Sequence, residues 1–415
     1  MTLAIPHLNS ARTHSLGRKY LVILAGVIGP KPSQSPYRMR PKGLCSSIVQ
    51  QAYGNQKFQP LPAPTGPAPF HLSLDSILTA DEIAAINSSG TLCFHVAGDT
   101  GGIKYPSPQQ GVADALEADL TSSGSGKPSF LYHVGDVVYY YGEATEYFGQ
   151  FYEPYDHYSA PILAIPGNHD GDIANATVSS LAAFVGNFCA KSPHLSPDAG
   201  ECPRLTQIEP NVYWTLEAPF ATIIGLYSNV PEGGQFQQDQ INWFVGELRD
   251  APKDKALILA LHHPPFSADS HHSGSMLMVT TLDDAFKQSG RTADIILTGH
   301  VHNYQRFTRQ IGNQDVPYIV TGAGGYWHLH TMQKQSDGSP LQVPFKMPEP
   351  GVTLENYCDT RHGYMKMQVT KNTLSGQYFI TPLPNQTGPT QQIDSFELDL
   401  QEHTLTKSAR LPLAA

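Results

Sequence analysis

The sequence predicts an α/β protein in which helices cover the sheets, and three observations carry that reading. Short apolar runs alternate with segments of helical period, the helical segments carry their own start and stop signals, and polar residues gather just after the apolar runs. The first helix is expected from Thr79-Ala80-Asp81-Glu82, a capping-box pattern that leads into Ile83 and Ile86 and stops at Gly90. Strands are expected at Leu92–Ala97, Phe130–Val134, Pro161–Ile165, Thr222–Leu226, Ala256–Leu261, Asp294–Thr298 and Val316–Thr321. Three helical faces lie between them. They are Val112, Leu116 and Leu120, then Ile241, Phe244, Val245 and Leu248, then Val279, Leu282 and Phe286, the last closed by Gly290 as a C-cap.

Residues 1–75 are rich in Pro, Ser and Gln, show no period, and are read as an irregular N-terminal segment. One layered domain is expected over 76–410, with its motif-bearing core at 91–330. The stretch from Ser336 to about Gly363 yields no assignment. Beyond it Met365, Met367 and Val369 alternate with polar residues, as do Phe396, Leu398 and Leu400, so 363–402 should hold half-buried antiparallel strands that complete the same domain.

Charge narrows the function. Lys+Arg of 26 against Asp+Glu of 36 gives −10, which argues against a general binder of nucleic acid or anionic membrane. An acidic protein that handles phosphates must attract them with something other than surplus lysine, and 18 His residues point to metal ions. No apolar run reaches the ~18 residues of a membrane span. Leu21–Gly29 follows Arg18 and Lys19 as in an export signal, but no small-residue cleavage site follows, so the compartment stays open. The five cysteines form no CxxC pair, which excludes a Cys-type zinc site; Cys189 and Cys202 admit either a bridge or free thiols.

The polar residues after the strands carry the chemistry. The runs end in Gly98-Asp99-Thr100-Gly101, Gly135-Asp136-Val137-Val138-Tyr139, Pro166-Gly167-Asn168-His169-Asp170, His262-His263-Pro264-Pro265 and Gly299-His300-Val301-His302. Sites in open α/β sheets form outside the carboxyl ends of strands. A single Gly-Asp after a strand is ordinarily a turn. Five strand ends that each deliver Asp, Asn or His are not explained as turns, and they make a cluster of hard and borderline ligands. For His300 and His302 both to reach inward the backbone must bend, as Gly299 allows. Gly124-Ser125-Gly126-Lys127-Pro128 imitates a phosphate-binding loop but has Pro where Ser or Thr should hold Mg²⁺, and is read as a plain loop.

In this order the motifs resemble the calcineurin-like metallophosphoesterase superfamily over roughly 91–330. That superfamily commonly opens with Asp-x-His. Here Gly101 stands in the place of the His, and Tyr139 follows Asp136 by three residues, an exchange similar to the purple acid phosphatase branch. Gly299 through Arg306 and Thr321-Gly322-Ala323-Gly324-Gly325 look like that branch too. The resemblance implies an α/β/β/α sandwich of two mixed sheets flanked by helices. No run of strands precedes residue 90, so a form without the fibronectin-like domain of the plant enzymes is implied.

Carried over residue by residue, the resemblance implies two metal ions bridged by Asp136. One is held by Asp99, Tyr139 and His302 and is typically Fe³⁺. The other is held by Asn168, His262 and His300 and is Zn²⁺, Mn²⁺ or Fe²⁺. Two metals ~3.5–4 Å apart can clamp a phosphoryl group and activate water near neutral pH. The implied reaction is hydrolysis of phosphate monoesters by a metal-bound hydroxide. His169 matches the branch's phosphate-contacting histidine and is assigned charge stabilisation and proton donation. His271 and His272 lie where the family places a second such residue, with His272 favoured. Asp170 is read as an orienting group and His263 as a hydrogen-bonding neighbour. The alternatives are a phosphodiesterase or a nucleotide or phospholipid hydrolase on the same scaffold, and a non-catalytic binding module. The partner expected is a phosphorylated small molecule or other phosphoester. The segments 186–215 and 326–362 are expected to wall the cleft.

Overall fold

The computed structural model describes residues 57–411 apart from 122–125 and 176. The Leu21–Gly29 run, Cys45, and Gly124 and Ser125 of the phosphate-loop imitation lie outside the described residues.

The helices are α1 (Ala80–Ser89), α2 (Ser107–Leu120), α3 (Asn168–Gly171), α4 (Ala182–Phe188), α5 (Gln238–Asp250) and α6 (Met276–Ser289). The capping box forms at Thr79, whose hydroxyl accepts from Glu82 N while the Glu82 carboxylate accepts from Thr79 N, and Gly90 ends α1 in the left-handed region. Gly290 ends α6 in the same way.

The strands begin with β1 (His71–Ser73), β2 (Leu92–Ala97), β3 (Leu131–His133), β4 (Ile162–Ala164), β5 (Trp214–Ala218), β6 (Ala221–Leu226), β7 (Ala256–Leu261) and β8 (Ile295–Thr298). They continue with β9 (Tyr304–Ile311), β10 (Gln314–Thr321), β11 (Phe345–Lys346), β12 (Val352–Cys358), β13 (Gly363–Val369), β14 (Thr373–Ile380), β15 (Gln391–Asp399) and β16 (Thr404–Arg410). Nine form a sheet in the order β1-β5-β6-β7-β8-β10-β9-β12-β11, and seven form a second in the order β16-β15-β14-β13-β2-β3-β4. Each is mixed. β6, β7, β8 and β10 run parallel, as do β2, β3 and β4, and antiparallel strands extend both sheets.

Alternation along each strand builds the layers. Phe94 and Val96 of β2 share one core with Ile258 and Ala260 of β7, so the two sheets face each other. The other side of β7, Leu257, Leu259 and Leu261, packs on Phe244 and Leu248 of α5 and Leu282 and Phe286 of α6. The outer face of the second sheet, Leu131, Ile162 and Ala164, packs with Val112 and Leu116 of α2. This is the expected α/β/β/α sandwich.

Several expectations are corrected. Part of the segment read as irregular is ordered: β1 pairs with Thr215–Glu217 of β5, and Leu72 and Leu74 are buried. Three residues are too few to display a period. The unassigned stretch holds β11 and β12, whose pattern is broken by a register shift between Leu354 and Asn356. β13 is buried on both faces rather than half-buried, because Met365, Met367 and Val369 lie in the core between the sheets while Lys366 on the other face is covered by Asp119 of α2. β5, β9 and β16 fall outside the expected strands, and β14 lies within the 363–402 strand segment. Cys189 and Cys202 are both free, buried thiols. The segment 186–215 packs on the helical region around Phe151, with Phe188 and Phe151 rings 5.1 Å apart.

Candidate metal centre

The carboxyl ends of β2, β3 and β4 deliver Asp99, Asp136 and Asn168, and those of β7 and β8 deliver His262, His300 and His302. Tyr139 stands on the turn after β3. Three of these residues take backbone angles that side chains with a Cβ rarely adopt: φ is 57° at Asp99, 55° at Asp136 and 67° at His300. Each such residue costs on the order of 1–3 kcal/mol and persists where the surroundings demand it, commonly at functional sites. The bend expected at Gly299 therefore falls on His300. Gly299 serves close approach instead, since a Cβ there would stand 2.5 Å from Asp99 Oδ2.

The side chains converge. Tyr139 Oη lies 3.4 Å from Asp99 Oδ1 and 3.3 Å from His302 Nε2, and His302 Nε2 lies 3.5 Å from Asp99 Oδ1. Beside that group, His262 Nε2 is 3.3 Å from Asp136 Oδ2 and 3.1 Å from Asn168 Oδ1, and His300 Nδ1 is 3.0 Å from the same Asn168 oxygen. All seven residues are buried. The exchange of Gly101 for a histidine has a steric counterpart. A Cβ at Gly101 would stand 2.7 Å from Tyr139 Cδ2 and would also strike Gln150 Oε1, so the tyrosine ring fills that space.

Each imidazole has one nitrogen tied outward and the other turned to the oxygens. His262 Nδ1 meets Val134 O at 2.9 Å, His302 Nδ1 meets His328 O at 3.3 Å, and His300 Nε2 meets a Glu232 oxygen at 3.3 Å. Outward carbonyls and carboxylates of this kind fix the tautomer and orientation of metal-binding histidines.

Electrostatics agree with a cation in this place. Burial pushes the Asp99 carboxyl well above its usual range, with His262 opposing and Asp136 adding to the rise. Burial also opposes the charge on Asp136, yet His262 and His169 hold that carboxyl well below its usual range. His262 loses to burial but is lifted to about 9 by Asp136 and Asp99. Burial, then Asp99 and Asp136, drive the Tyr139 phenol well above its usual range. Two buried carboxylates, a buried phenol and three imidazoles each with one nitrogen turned inward are a donor set that metal cations would satisfy. Asp99, Asp136 and His262 each offer one donor atom within 4.8 Å of the others.

The remaining predicted residues sit around this group. His169 is half-buried at the start of α3; its backbone N–H donates to Asp136 Oδ1 at 2.9 Å and its Nδ1–H to Tyr140 O at 2.9 Å, so Nε2 is the nitrogen left available. Asp170 accepts from the N–H groups of Val137, Val138 and Gly167, fixing the β3 turn against α3, and burial raises its carboxyl to about 7. His263 Nδ1 pairs with Ser228 Oγ at 2.7 Å, while its Nε2 is buried without a partner. His272 stands at the rim, its Nδ1 2.9 Å from Glu232 Oε1 and its ring 4.6 Å from that of His300. His271 instead stacks on His330, at 4.7 Å.

Glu232 is the residue sequence reasoning missed. It links His300 to His272 and lies in a Pro- and Gly-containing turn several residues past the carboxyl end of β6. Tyr326 was missed as well; its ring packs 4.3 Å from His302 and 4.4 Å from Tyr139.

Two facing mixed sheets with this His/Asp cluster at their strand ends define a metallophosphoesterase. The sequence profile of the calcineurin-like phosphoesterase family matches residues 94–304, over half of the chain, and the chain belongs to that family. It is 26% identical over 138 residues to purple acid phosphatase 21 of Arabidopsis thaliana, covering 32% of this chain and 31% of that protein. It is 23% identical over 217 residues to purple acid phosphatase 18 of the same plant, covering 50% and 43%. The chain thus spans less than half the length of these curated relatives. The solved structure of purple acid phosphatase PPD1 from yellow lupin (Lupinus luteus) seeds shares the fold, with a TM-score of 0.54 at 15% identity over 78% of this chain and 57% of that one. No helix among the described residues is long and apolar enough to cross a membrane.

Proposed function

We propose that this protein is a binuclear metal-dependent phosphoesterase that hydrolyses phosphate monoesters, in the manner of a purple acid phosphatase. The observation that carries the proposal is the convergence of Asp99, Asp136, Tyr139, Asn168, His262, His300 and His302 with every histidine anchored from behind. In this reading Asp99, Tyr139 and His302 would hold Fe³⁺, Asn168, His262 and His300 would hold Zn²⁺, Mn²⁺ or Fe²⁺, and Asp136 would contribute to both. Phenolate and carboxylate suit a hard trivalent ion, and imidazoles suit a borderline divalent one. When bound, such a pair supplies Lewis-acid polarisation of the phosphoryl group and an activated water.

The chain's own residues do the rest. His169 presents Nε2 to the phosphoryl group and passes a proton to the departing oxygen, its ring fixed by the Tyr140 carbonyl. His272, oriented by Glu232, contacts the phosphoryl oxygens from the other side.

Tyr139 provides the test. Iron-loaded protein should be coloured by tyrosinate-to-iron charge transfer, and Tyr139→Phe should be bleached with part of its activity retained. Tyr140→Phe and Tyr141→Phe should keep the colour. Spectra of these variants, read with elemental analysis and with hydrolysis of a panel of monoesters and diesters, check both halves of the proposal. A colourless wild type fully active with two divalent ions would remove the iron assignment, and cleavage of diesters alone would remove the monoester assignment.

A further inference from the structure

Next to the metal-ligand cluster the structure carries a set of aromatic rings that the hydrolytic machinery does not use. It starts at Tyr326, which packs on Tyr139 and His302. It continues to Trp327, whose ring lies 6.0 Å from that of Tyr326, and then to Tyr105, 5.9 Å from Trp327 and edge-on to it. On the other side Tyr140 shares an Oη–Oη contact of 3.2 Å with Tyr326, and its ring lies 5.8 Å from that of His169. These rings are not core. Tyr105 is 55% exposed and Tyr140 39% exposed, while Tyr326 and Trp327 are half-buried.

Lys104 ends the row. Its ammonium stands 3.9 Å from the centroid of the Trp327 ring and 5.5 Å from that of Tyr105. A cation over an indole is held by the ring quadrupole. The result is a strip of π surface that leads out from the phosphoryl position and finishes in a positive charge, on a chain whose net charge is −10.

We propose that this strip is the leaving-group subsite, and that it takes a phosphoester whose departing alcohol bears a planar aromatic ring. The proposal rests on the monoester reading above. Ring stacking suits Tyr and Trp faces that are fixed by their neighbours, because little side-chain entropy is lost on binding. Lys104 complements the anionic charge that such a substrate carries on approach. A ring bonded directly to the ester oxygen meets Tyr326 and Tyr140 first. A nucleobase set further out by its ribose reaches Trp327 and Tyr105. The shared chemistry is the aromatic ring, and the two sources are separable.

The experiment uses the metal-replete chain with the variants Trp327→Leu, Tyr105→Ala and Tyr140→Leu. The first two remove no residue assigned to the metals or to proton transfer, whereas Tyr140 also holds His169 through its backbone carbonyl, so Tyr140→Leu is read only by the difference between its effects on two substrates. Inhibition by phenylphosphonate, adenosine 5′-monophosphate and methylphosphonate is compared, and KM is measured for phenyl phosphate, adenosine 5′-monophosphate and glycerol 2-phosphate. Wild type should bind at least one ring-bearing probe about 10-fold more tightly than methylphosphonate, within the range for stacking one ring. That probe should quench tryptophan fluorescence in wild type and not in Trp327→Leu, since Trp214 is buried in the core and Trp243 packs beside Phe70 and Tyr213, outside the strip. If the ring is a nucleobase, Trp327→Leu and Tyr105→Ala raise KM for adenosine 5′-monophosphate; if it is a directly bonded aryl group, Tyr140→Leu raises KM for phenyl phosphate. For Trp327→Leu and Tyr105→Ala kcat/KM for glycerol 2-phosphate stays within about 2-fold, and for Tyr140→Leu the rise in KM for phenyl phosphate exceeds that for glycerol 2-phosphate, because stacking adds only to the ring-bearing ligand. Equal affinity for all three probes in wild type, or a preference that survives all three substitutions, overturns the subsite. If wild type cleaves only diesters the monoester reading falls, and the comparison of inhibitors still decides whether the ring is bound.

Discussion

Asp136 is the residue at which the two groups of ligands meet. Its Oδ2 faces His262 and its Oδ1 accepts from His169 N, one donor atom of Asp99 lies within 4.8 Å, and in the proposed reading its carboxylate would serve both ions. Asp136→Asn should lower turnover by more than the ~10–100-fold typical of residues that merely orient a ligand. It should also reduce metal content, measured by elemental mass spectrometry. His169→Ala should behave differently, keeping both metals while turnover falls by roughly 10²–10⁴-fold, the range for a positioned proton donor. Substrates with poor leaving groups should suffer most; a slowdown erased by adding metal would assign His169 to structure. At this scale the sequence is most informative where Asp, Asn and His recur after strands, which marks six of the seven candidate ligands; Tyr139 enters only through the family resemblance. Glu232 escaped because it lies several residues past β6 in a Pro- and Gly-containing turn, and a single Glu there carries no pattern. The left-handed angle at His300 escaped too, because a glycine beside it offered a cheaper site for the bend.

Between elements, α2 is moored to the second sheet through one carboxylate. Asp119 near the end of α2 meets His95 Nε2 of β2 at 3.0 Å and Lys366 Nζ of β13 at 2.9 Å. Burial raises its carboxyl, but hydrogen bonds from His95 and Lys366 outweigh this and bring it down to about 2. A depressed folded-state value stabilises the fold above the unfolded-state value of ~3.9, and the contribution disappears as pH falls through the folded value. Asp119→Asn should therefore lower the urea midpoint at pH 6, and the gap from wild type should narrow steadily between about pH 4 and pH 2. A gap independent of pH would mean that the loss is one of packing. Lys366 also explains why β13 was misjudged. Its alternation of Met with Lys and Gln reads as one face to solvent, whereas Lys366 is buried against Asp119 and the polar face lies under α2. Strands with fully apolar runs, such as β2 and β7, were legible to the residue. Strands whose polar side chains are satisfied by partners distant in sequence were not.

In the molecule as a whole, the two sheets are joined by a buried polar tie as well as by the apolar core. Arg306 of β9 donates from Nε and Nη2 to both oxygens of Asp394 on β15, at 2.7 and 2.9 Å, and Tyr304 Oη donates to Asp394 at 2.6 Å. The Tyr304 ring stacks on Tyr378 of β14 at 3.7 Å. Removing one partner of a buried ion pair leaves the other charge uncompensated, so Asp394→Ala should cost roughly 3–5 kcal/mol in urea unfolding. Metal content and turnover of the molecules that remain folded should be unchanged, which separates this tie from the site. The fold class was legible because alternating strands and helices dictate layers; the tie was not, since residues 306 and 394 share no local signal. The placing of the donors has a further effect. Asp99, Asp136 and Asn168 come from one sheet and His262, His300 and His302 from the other, so neither sheet alone owns a complete coordination sphere. Any ion bound there acts as a rivet through the sandwich. Its affinity is added to the cohesion of the two sheets by mass action, so a chelator should lower the melting temperature of the entire domain rather than loosen a few loops. Turnover and structural integrity are thereby made to draw on the same trace element.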